Sequence, residues 1–442
     1  MDNPKRREFL IAATALGVAV GATAHAQAQT YGNPDLPPEG ALNAAKNPAT
    51  HDTVIGPQNP TLADQFPSSS SPPATDVDTL PMFWASFNNA HKRIQNGGWA
   101  RQVTQADFAI STTISGVNMH LSAGGIRELH WHLTAEWSIM TRGRCRITTI
   151  DTEGRASVDD VEAGDLWYFP AGLPHSLQGL GPEGCEFVLA FDDGAQSENN
   201  TLLLSEFMAH IPPDILAKNF NVPVDAFKTI PLNSKWIFQG QEPGTLAADR
   251  AAAHVVPGAA PVIFHLSRSS PRHSTTGGTI QIADSQNFPI AKTVAAALVT
   301  VRPGGLREIH WHPNADEWQY WMQGQGRMTI FDNGPKATTM DFNAGDVGYV
   351  KKSQGALHRE YRDRRPRLSR DISCGSLRGG ITLELADARA AGPRRTTFEH
   401  SRVDDHSFSR RRTGRHAGLT LIATDLPSFV AGNTAGLWLA NS

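Results

Sequence analysis

Four residues in the first half of this 442-residue chain have types and a spacing that suit a divalent metal ion. His130 and His132 stand two apart, Glu136 follows four residues later, and His175 comes after the run Gly-Asp-Leu-Trp-Tyr-Phe-Pro. Residues i and i+2 of a β-strand face the same side, so the first two imidazoles should point the same way. Three imidazoles and one carboxylate without a thiolate make a fairly hard site, which leaves two positions of an octahedral ion open. The sequence therefore predicts a metal site here.

The same pattern returns later because the chain is internally duplicated. The segment GGIRELHWH at 124–132 recurs as GGLREIHWH at 304–312, an offset of 180, and one inserted residue makes the offset 181 from the glutamate onwards. At that offset the counterpart of His175 is Ala356. The second set of predicted ligands is therefore one short and consists of His310, His312 and Glu317.

The elements that must hold these residues are short strands. Stretches such as 146–150, 166–169 and 187–190 are bounded by Gly, Pro and Asp, as strands between turns are. Residues 201–221 between the repeats have helical periodicity instead, which predicts a helical crossover. Cys145 and Cys185 are interpreted as small core residues, although a disulfide between them is an alternative.

The N-terminal 80 residues differ from the repeats. Residues 1–30 combine a basic start, an apolar run and an Ala-His-Ala site, which predicts a signal peptide and an exported, periplasmic or secreted protein. The pair Arg6-Arg7 followed by Phe9-Leu10 favours the twin-arginine type. Residues 31–80 are rich in Pro and Ser and predict an extended arm. Beyond the signal peptide no apolar run reaches about 18 residues, so no membrane span is expected, and the net charge of −3 gives no reason to expect nucleic acid.

Several longer motifs resemble one enzyme family over residues 55–355. They are GGWAR, IRELHWH, AEW, GDLWYFPAGLPHSLQ, FDDG and REIHWHPNADEWQYWMQGQGRMTIF, and they are similar to those of bacterial and fungal oxalate decarboxylases of the cupin superfamily. The resemblance implies an all-β fold of two tandem cupin barrels, each a double-stranded β-helix or jelly roll, joined by the helical crossover. It divides the chain into a first cupin domain at 81–220, a linker at 221–260 and a second cupin domain at 261–355.

The same resemblance implies a function, cofactors and two catalytic residues. It implies manganese and dioxygen as cofactors and the conversion of oxalate to formate and carbon dioxide, by a protein that is typically a homo-oligomer. By motif position, Arg127 would hold the second carboxylate of oxalate, and Glu198 of the Ser-Glu-Asn lid would move the proton. Related oxalate oxidases lack such an acid, so Glu198 favours the decarboxylase. An oxidase-type activity and a non-enzymatic or inactive bicupin are the alternatives.

The resemblance ends at Gly355, where the composition changes. Residues 356–442 hold fifteen Arg and no Lys. One interpretation is a basic tail that binds RNA or an acidic surface. The favoured hypothesis is a shifted reading frame. When one base is dropped, suitable codons for GALHREYR can be read as GHYIENTG, which is the sequence that the family has at this place. The second barrel is then predicted to be incomplete, without closing strands, and His358 is not expected to replace the missing ligand.

Overall fold

The structure is a computed structural model in which only part of the chain is described. Ser70, Glu360 and residues 380–387 and 435–437 are described by their backbone alone. The predicted signal peptide lies outside the described residues, which are 59–70, 72–77, 80–231, 233–334, 336–360, 380–387 and 435–437.

Antiparallel strands make up most of the first half of the described chain, as the all-β prediction requires. Twelve strands follow one another before the second repeat begins: β1 Trp84–Ser86, β2 Arg93–Gln95, β3 Gly98–Val103, β4 Ser115–Leu121, β5 Gly125–Trp131, β6 Glu136–Ile150, β7 Ala156–Glu162, β8 Leu166–Phe169, β9 His175–Gly179, β10 Cys185–Phe191, β11 Leu202–Leu203 and β12 Ile237–Gln239.

Strand β6 joins the two layers of the first barrel. Its first half pairs with β8 and β10, and its second half pairs with β7 and β9. Gly143 lies where the strand changes partners and has a φ of +73°. A Cβ at this glycine would come within 2.0 Å of the Gly184 carbonyl oxygen, so the close approach of the two strands requires glycine. Cys145 and Cys185 are buried, free thiols, as predicted.

The second repeat forms a similar set of strands. They are β13 Ile263–Phe264, β14 His273–Thr275, β15 Gly278–Ala283, β16 Val294–Val301, β17 Leu306–Trp311, β18 Glu317–Gln323, β19 Gln325–Asp332, β20 Lys336–Asn343, β21 Asp346–Val350, β22 Gly355–Glu360, β23 Gly380–Asp387 and β24 Ala435–Leu437.

The prediction that the second barrel lacks closing strands was wrong. Strand β22 pairs with β17 and β19, and β23 lies between β16 and β18, as β10 lies between β4 and β6 in the first barrel. The offset of 181 would start this strand at residue 366, whereas β23 starts at Gly380. The backbone of a strand needs only an extended segment to complete the ladder, and residues 380–387 supply one.

The two barrels exchange short strands across the predicted domain boundaries. Strand β1, which the boundary at residue 81 assigns to the first domain, pairs with β21 of the second barrel. Strand β13, assigned to the second domain, pairs with β8 of the first barrel. One core cluster accordingly contains buried aromatic residues of both repeats, among them Trp137, Tyr168, Trp318 and Tyr349.

The helices are short and lie outside the barrels. Two precede β1, two form the predicted crossover after β11, and one follows β12: α1 Pro60–Gln65, α2 Pro67–Ser70, α3 Leu204–Ala209, α4 Pro213–Phe220 and α5 Leu246–Ala252. The arm predicted at 31–80 contacts the second barrel where it is described, since Val77 bridges to Ala337. None of the described helices is long and apolar enough to cross a membrane.

Candidate metal and substrate site

Four side chains from three strands converge inside the first barrel. His130 lies in β5 and His132 directly follows it, whereas Glu136 and His175 begin β6 and β9. The pairing of β5 with β9 places His130 opposite His175. One ligand atom of each residue lies within 4.8 Å of the others, and all four residues are buried. The structure thus brings together the complete set of ligands predicted for the first repeat.

Backbone carbonyl groups orient two of the imidazoles. Nδ1 of His130 donates a hydrogen bond to the carbonyl oxygen of Glu128 (2.5 Å), and Nδ1 of His175 donates to that of Leu173 (2.8 Å). A carbonyl oxygen only accepts, so the hydrogen is on Nδ1 and the lone pair is on Nε2. Such a partner on the second ring nitrogen is usual for metal-binding histidines. Nε2 of both rings is therefore ready to coordinate an ion.

Glu136 places one oxygen among these nitrogens. Its Oε1 accepts hydrogen bonds from Ser138 Oγ (3.0 Å) and Trp167 Nε1 (3.1 Å), and its Oε2 faces Nε2 of His132 and of His175 at 3.2 and 3.4 Å. Burial would raise the pKa of Glu136, but its contacts with the two histidines outweigh burial and hold the pKa far below its usual range. Among the described residues, these three facing atoms have no hydrogen-bond partner. A cation between them fits this arrangement.

Arg127 lies beside the four residues on the same strand, β5. A regular strand would point Arg127 and His130 to opposite faces, but the register of β5 against β9 shifts between them. Both side chains are therefore buried in the barrel. Nη1 of Arg127 donates to the carbonyl oxygen of Trp236 (3.3 Å), Nη2 lies 3.0 Å from Oε2 of Glu198, and Nε makes no hydrogen bond to a described residue. A carboxylate that takes the place of Glu198 at the edge formed by Nε and Nη2 would be bound through two parallel hydrogen bonds.

Glu198 covers the site from a one-turn lid. The lid is the 3₁₀ helix Glu198–Asn200, and Ser197 caps it by accepting a hydrogen bond from the Asn199 backbone nitrogen (3.1 Å). The carboxylate of Glu198 is buried, and its Oε2 lies 3.0 Å from Nη2 of Arg127. The two predicted catalytic side chains therefore form an ion pair inside the barrel.

Trp236 is a residue of this site that the sequence did not indicate. It lies in the segment 221–260, interpreted as a linker, and has a φ of +56°. Its backbone nitrogen donates to Oε2 of Glu128 (3.0 Å), and its indole lies against the guanidinium groups of Arg93 and Arg127, 4.5 and 5.4 Å from the ring centre. No local motif marks the position, because its role depends on the pairing of β12 with β5.

The second repeat holds a smaller group. Nε2 of His312 and of His310 lie 2.8 and 3.8 Å from Oε2 of Glu317. The side chains of His310 and His312 are 20% and 12% exposed, so this group is more open than the first. The three residues predicted here are thus brought together and offer three ligand atoms.

The place of a fourth ligand in this barrel is taken by alanine. Strand β22 pairs with β17 so that Ala356 lies opposite His310, as His175 lies opposite His130 in the first barrel. A methyl group therefore stands where the first barrel has an imidazole, as the offset of 181 predicts.

His358 does not complete the group. Its ring centre is 6.0 Å from that of His310, and it is absent from the set of residues whose ligand atoms lie close together. Its Nε2 instead lies 2.9 Å from Nε2 of Gln319 and 2.8 Å from the sulfur of Met328. The expectation that His358 does not substitute for the missing ligand agrees with this geometry.

Comparisons with known proteins agree with this arrangement. The model of the cupin family matches residues 85–226 and 264–358. An oxalate decarboxylase of Bacillus subtilis is 46% identical over 303 residues, which cover 69% of this chain and 78% of that protein.

Solved structures of the Bacillus subtilis oxalate decarboxylase are similar to most of this chain. One, determined at pH 4.6, has a TM-score of 0.68 and 42% identity over 76% of this chain and 84% of its own. A second, from work on the Mn(II) centres of that enzyme, has a TM-score of 0.70 and 40% identity over 81% of this chain and 89% of its own.

Proposed function

Because the chain belongs to the cupin family and, within it, to the oxalate decarboxylases, we propose that it is a carboxy-lyase that converts oxalate to formate and carbon dioxide. The observation that carries this proposal is Arg127, whose buried guanidinium group pairs with the acid Glu198 and lies on the same strand as the predicted metal ligand His130. A small dianion fits such a site, since one carboxylate can meet the ion and the other can meet the guanidinium group.

Manganese is the proposed ion. The carboxylate of the ligand group suits Mn(II), and the choice of manganese over the ions that imidazoles favour follows a related enzyme, which has Mn(II) centres. When bound by His130, His132, Glu136 and His175, it would hold one oxalate carboxylate and accept and return an electron. We also propose dioxygen as a cofactor, which anaerobic assays test: formate production should stop without oxygen and resume when air is admitted.

The chain's own residues then bind the substrate and move one proton. Arg127 holds the distal carboxylate of hydrogen oxalate and neutralises its charge. Glu198 first accepts the acidic proton, the carbon–carbon bond breaks with release of carbon dioxide, and Glu198 returns the proton to the remaining carbon to give formate. Hydrogen oxalate thus yields carbon dioxide and formate, so atoms and charge balance without a net oxidant. A carboxylic acid on a lid can serve both steps because it lies within the closed site.

The variant Glu198→Gln tests this role of the lid acid. It keeps the size of the side chain but cannot exchange a proton, so formate production should fall by about 100-fold or more, in the range that general acid–base groups contribute. Formate, hydrogen peroxide and bound manganese are measured on the same samples. Unchanged formate production in this variant would remove Glu198 from the mechanism.

Two alternatives have their own outcomes in that assay. If the wild-type protein makes peroxide from oxalate rather than formate, it is an oxalate oxidase. If it binds manganese but yields neither product, the non-enzymatic bicupin is the better description. The buried lid acid favours the decarboxylase over the oxidase, because an oxidase needs no proton donor to carbon. The complete group of four ligands counts against the non-enzymatic bicupin.

The remaining expectations concern the ends of the chain and its assembly. We propose export through the twin-arginine signal at residues 1–30, assembly into a homo-oligomer, and no nucleic-acid or membrane partner. We also propose that residues 356–442 stem from a shifted reading frame, although their described parts close the second barrel. Sequencing the gene across the codon for Gly355 tests the shift, and a continuous frame without a lost or gained base would refute it.

A further inference from the structure

Arg93 is a second arginine that contacts the lid. It lies in β2, where its Nη2 donates to Oε2 of Glu198 (3.2 Å) and its Nη1 donates to Oδ1 of Asn199 (3.3 Å). One guanidinium group therefore joins two consecutive residues of the lid. Its side chain is 28% exposed, whereas the side chain of Glu198 is 4% exposed, so Arg93 stands between solvent and the buried acid.

The guanidinium group of Arg93 is itself fixed in place. It lies 4.5 Å from the ring centre of Trp236, whose indole also contacts Arg127. Trp236 is anchored through its backbone to Glu128, next to Arg127 on β5. One aromatic ring thus sets the positions of both guanidinium groups relative to Glu198.

A cavity of about 640 Å³ borders Arg93 and the lid. Its lining includes Arg93, Arg101, Gln102, Glu198 and Asn199 but none of the metal ligands. The lid therefore separates this cavity from the buried ligand group. An anion that enters the cavity meets Arg93 before it can reach Arg127.

The two arginines share one carboxylate, and oxalate competes for only one of them. Oxalate that occupies Arg127 displaces Glu198 from its inner partner. Arg93 still holds the displaced carboxylate and Asn199, so the lid need not open when substrate binds. We propose that Arg93 is a positioning residue that keeps Glu198 over bound substrate. This inference rests on the proposed decarboxylation and identifies the residue that holds its proton donor in place.

The experiment compares Arg93→Met and Arg93→Lys with the wild type, using the full-length protein loaded with manganese. Amide hydrogen exchange of residues 195–203, which contain the lid, is measured by mass spectrometry, together with formate, peroxide and bound manganese. Arg93→Met should exchange lid amides at least about tenfold faster, because a charged hydrogen bond shifts a local opening by that factor or more. Its ratio of formate to peroxide should fall while its manganese content stays constant, and Arg93→Lys should recover part of both effects.

Arg142→Met is the matched control. Arg142 also lies in the first barrel and also pairs with a glutamate, but the pair with Glu183 is exposed, with side chains 69% and 61% accessible. Its lid exchange and product ratio should equal those of the wild type. Lid exchange in Arg93→Met that matches the wild type overturns the proposal, whatever the activity. A wild type that makes no formate overturns the proposed function instead. The exchange measurement still decides whether Arg93 holds the lid in place.

Discussion

The electrostatic surroundings of His130 favour metal binding over protonation. Burial lowers the pKa of its imidazole well below the usual range, and the positive charge of Arg127 lowers it further. A lower pKa means that protons compete less with a metal ion for Nε2 as the solution becomes more acidic. Arg127 therefore has a second effect beside holding substrate, since it keeps a neighbouring ligand neutral.

This effect predicts how the first site responds to pH. A free imidazole has a pKa of about 6.5, whereas burial and Arg127 keep His130 neutral to a lower pH. Manganese bound at the first site should therefore be retained as the pH falls through about 6.5. Equilibrium dialysis with metal analysis measures this retention. In Arg127→Met the loss of metal should begin at higher pH, and loss of metal from the wild type with a midpoint near 6.5 would contradict the argument.

At the scale of single strands, the duplication made the ligand positions predictable. The offset of 181 identified Ala356 as the counterpart of His175, and the pairing of β22 with β17 has that alignment. The offset could not identify β23, because that strand lies outside the repeat and begins 14 residues later than the offset places it, at Gly380 rather than 366. The repeated sequence pattern determines which residues lie opposite each other within a pair of strands. Which segment of the chain pairs with a remaining strand edge depends on tertiary contacts.

The alignment of β22 predicts how a second metal site can be restored. Ala356→His should place an imidazole opposite His310 and raise bound manganese from about one to about two per chain, since a fourth ligand completes the group. Metal analysis after dialysis measures the ratio. Ala356→Leu is the control, because it adds comparable bulk without a ligand and should leave the ratio unchanged. If a folded Ala356→His protein still binds about one manganese per chain, the missing ligand opposite His310 is not what limits metal binding in the second barrel.

At the scale of the whole molecule, the two barrels contact each other reciprocally. The hydroxyl of Tyr168 in the first barrel lies 2.9 Å from Oγ1 of Thr293 in the second. The hydroxyl of Tyr349 in the second barrel lies 2.9 Å from Oγ1 of Thr113 in the first, and it donates to Oδ2 of Asp316 (2.6 Å). Together with the exchanged strands β1 and β13, these contacts relate the barrels by an approximate two-fold symmetry.

The sequence indicated the two barrels but not this exchange. The internal repeat shows which residues are equivalent in the two halves of the chain. This equivalence predicted the strands and both ligand groups. It does not report whether the edge of a strand meets its own barrel or the neighbouring one, because both pairings satisfy the same backbone hydrogen bonds. Trp236 and Arg93 were missed for the same reason, since their contacts with the site arise only after distant segments pair.

The shared core predicts that the barrels unfold together. Buried aromatic residues of both repeats belong to one cluster, so loss of one barrel exposes the apolar surface of the other. Urea unfolding of the metal-free protein should give one transition, coincident by tryptophan fluorescence and circular dichroism. Tyr168→Phe should lower the free energy of unfolding by about 1 kcal/mol, and Tyr349→Phe by about 2 kcal/mol because it also removes the hydrogen bond to buried Asp316. Both variants should keep a single unfolding transition, since each substitution weakens an interface on which both barrels depend. Two separate transitions would mean that each barrel is stable alone.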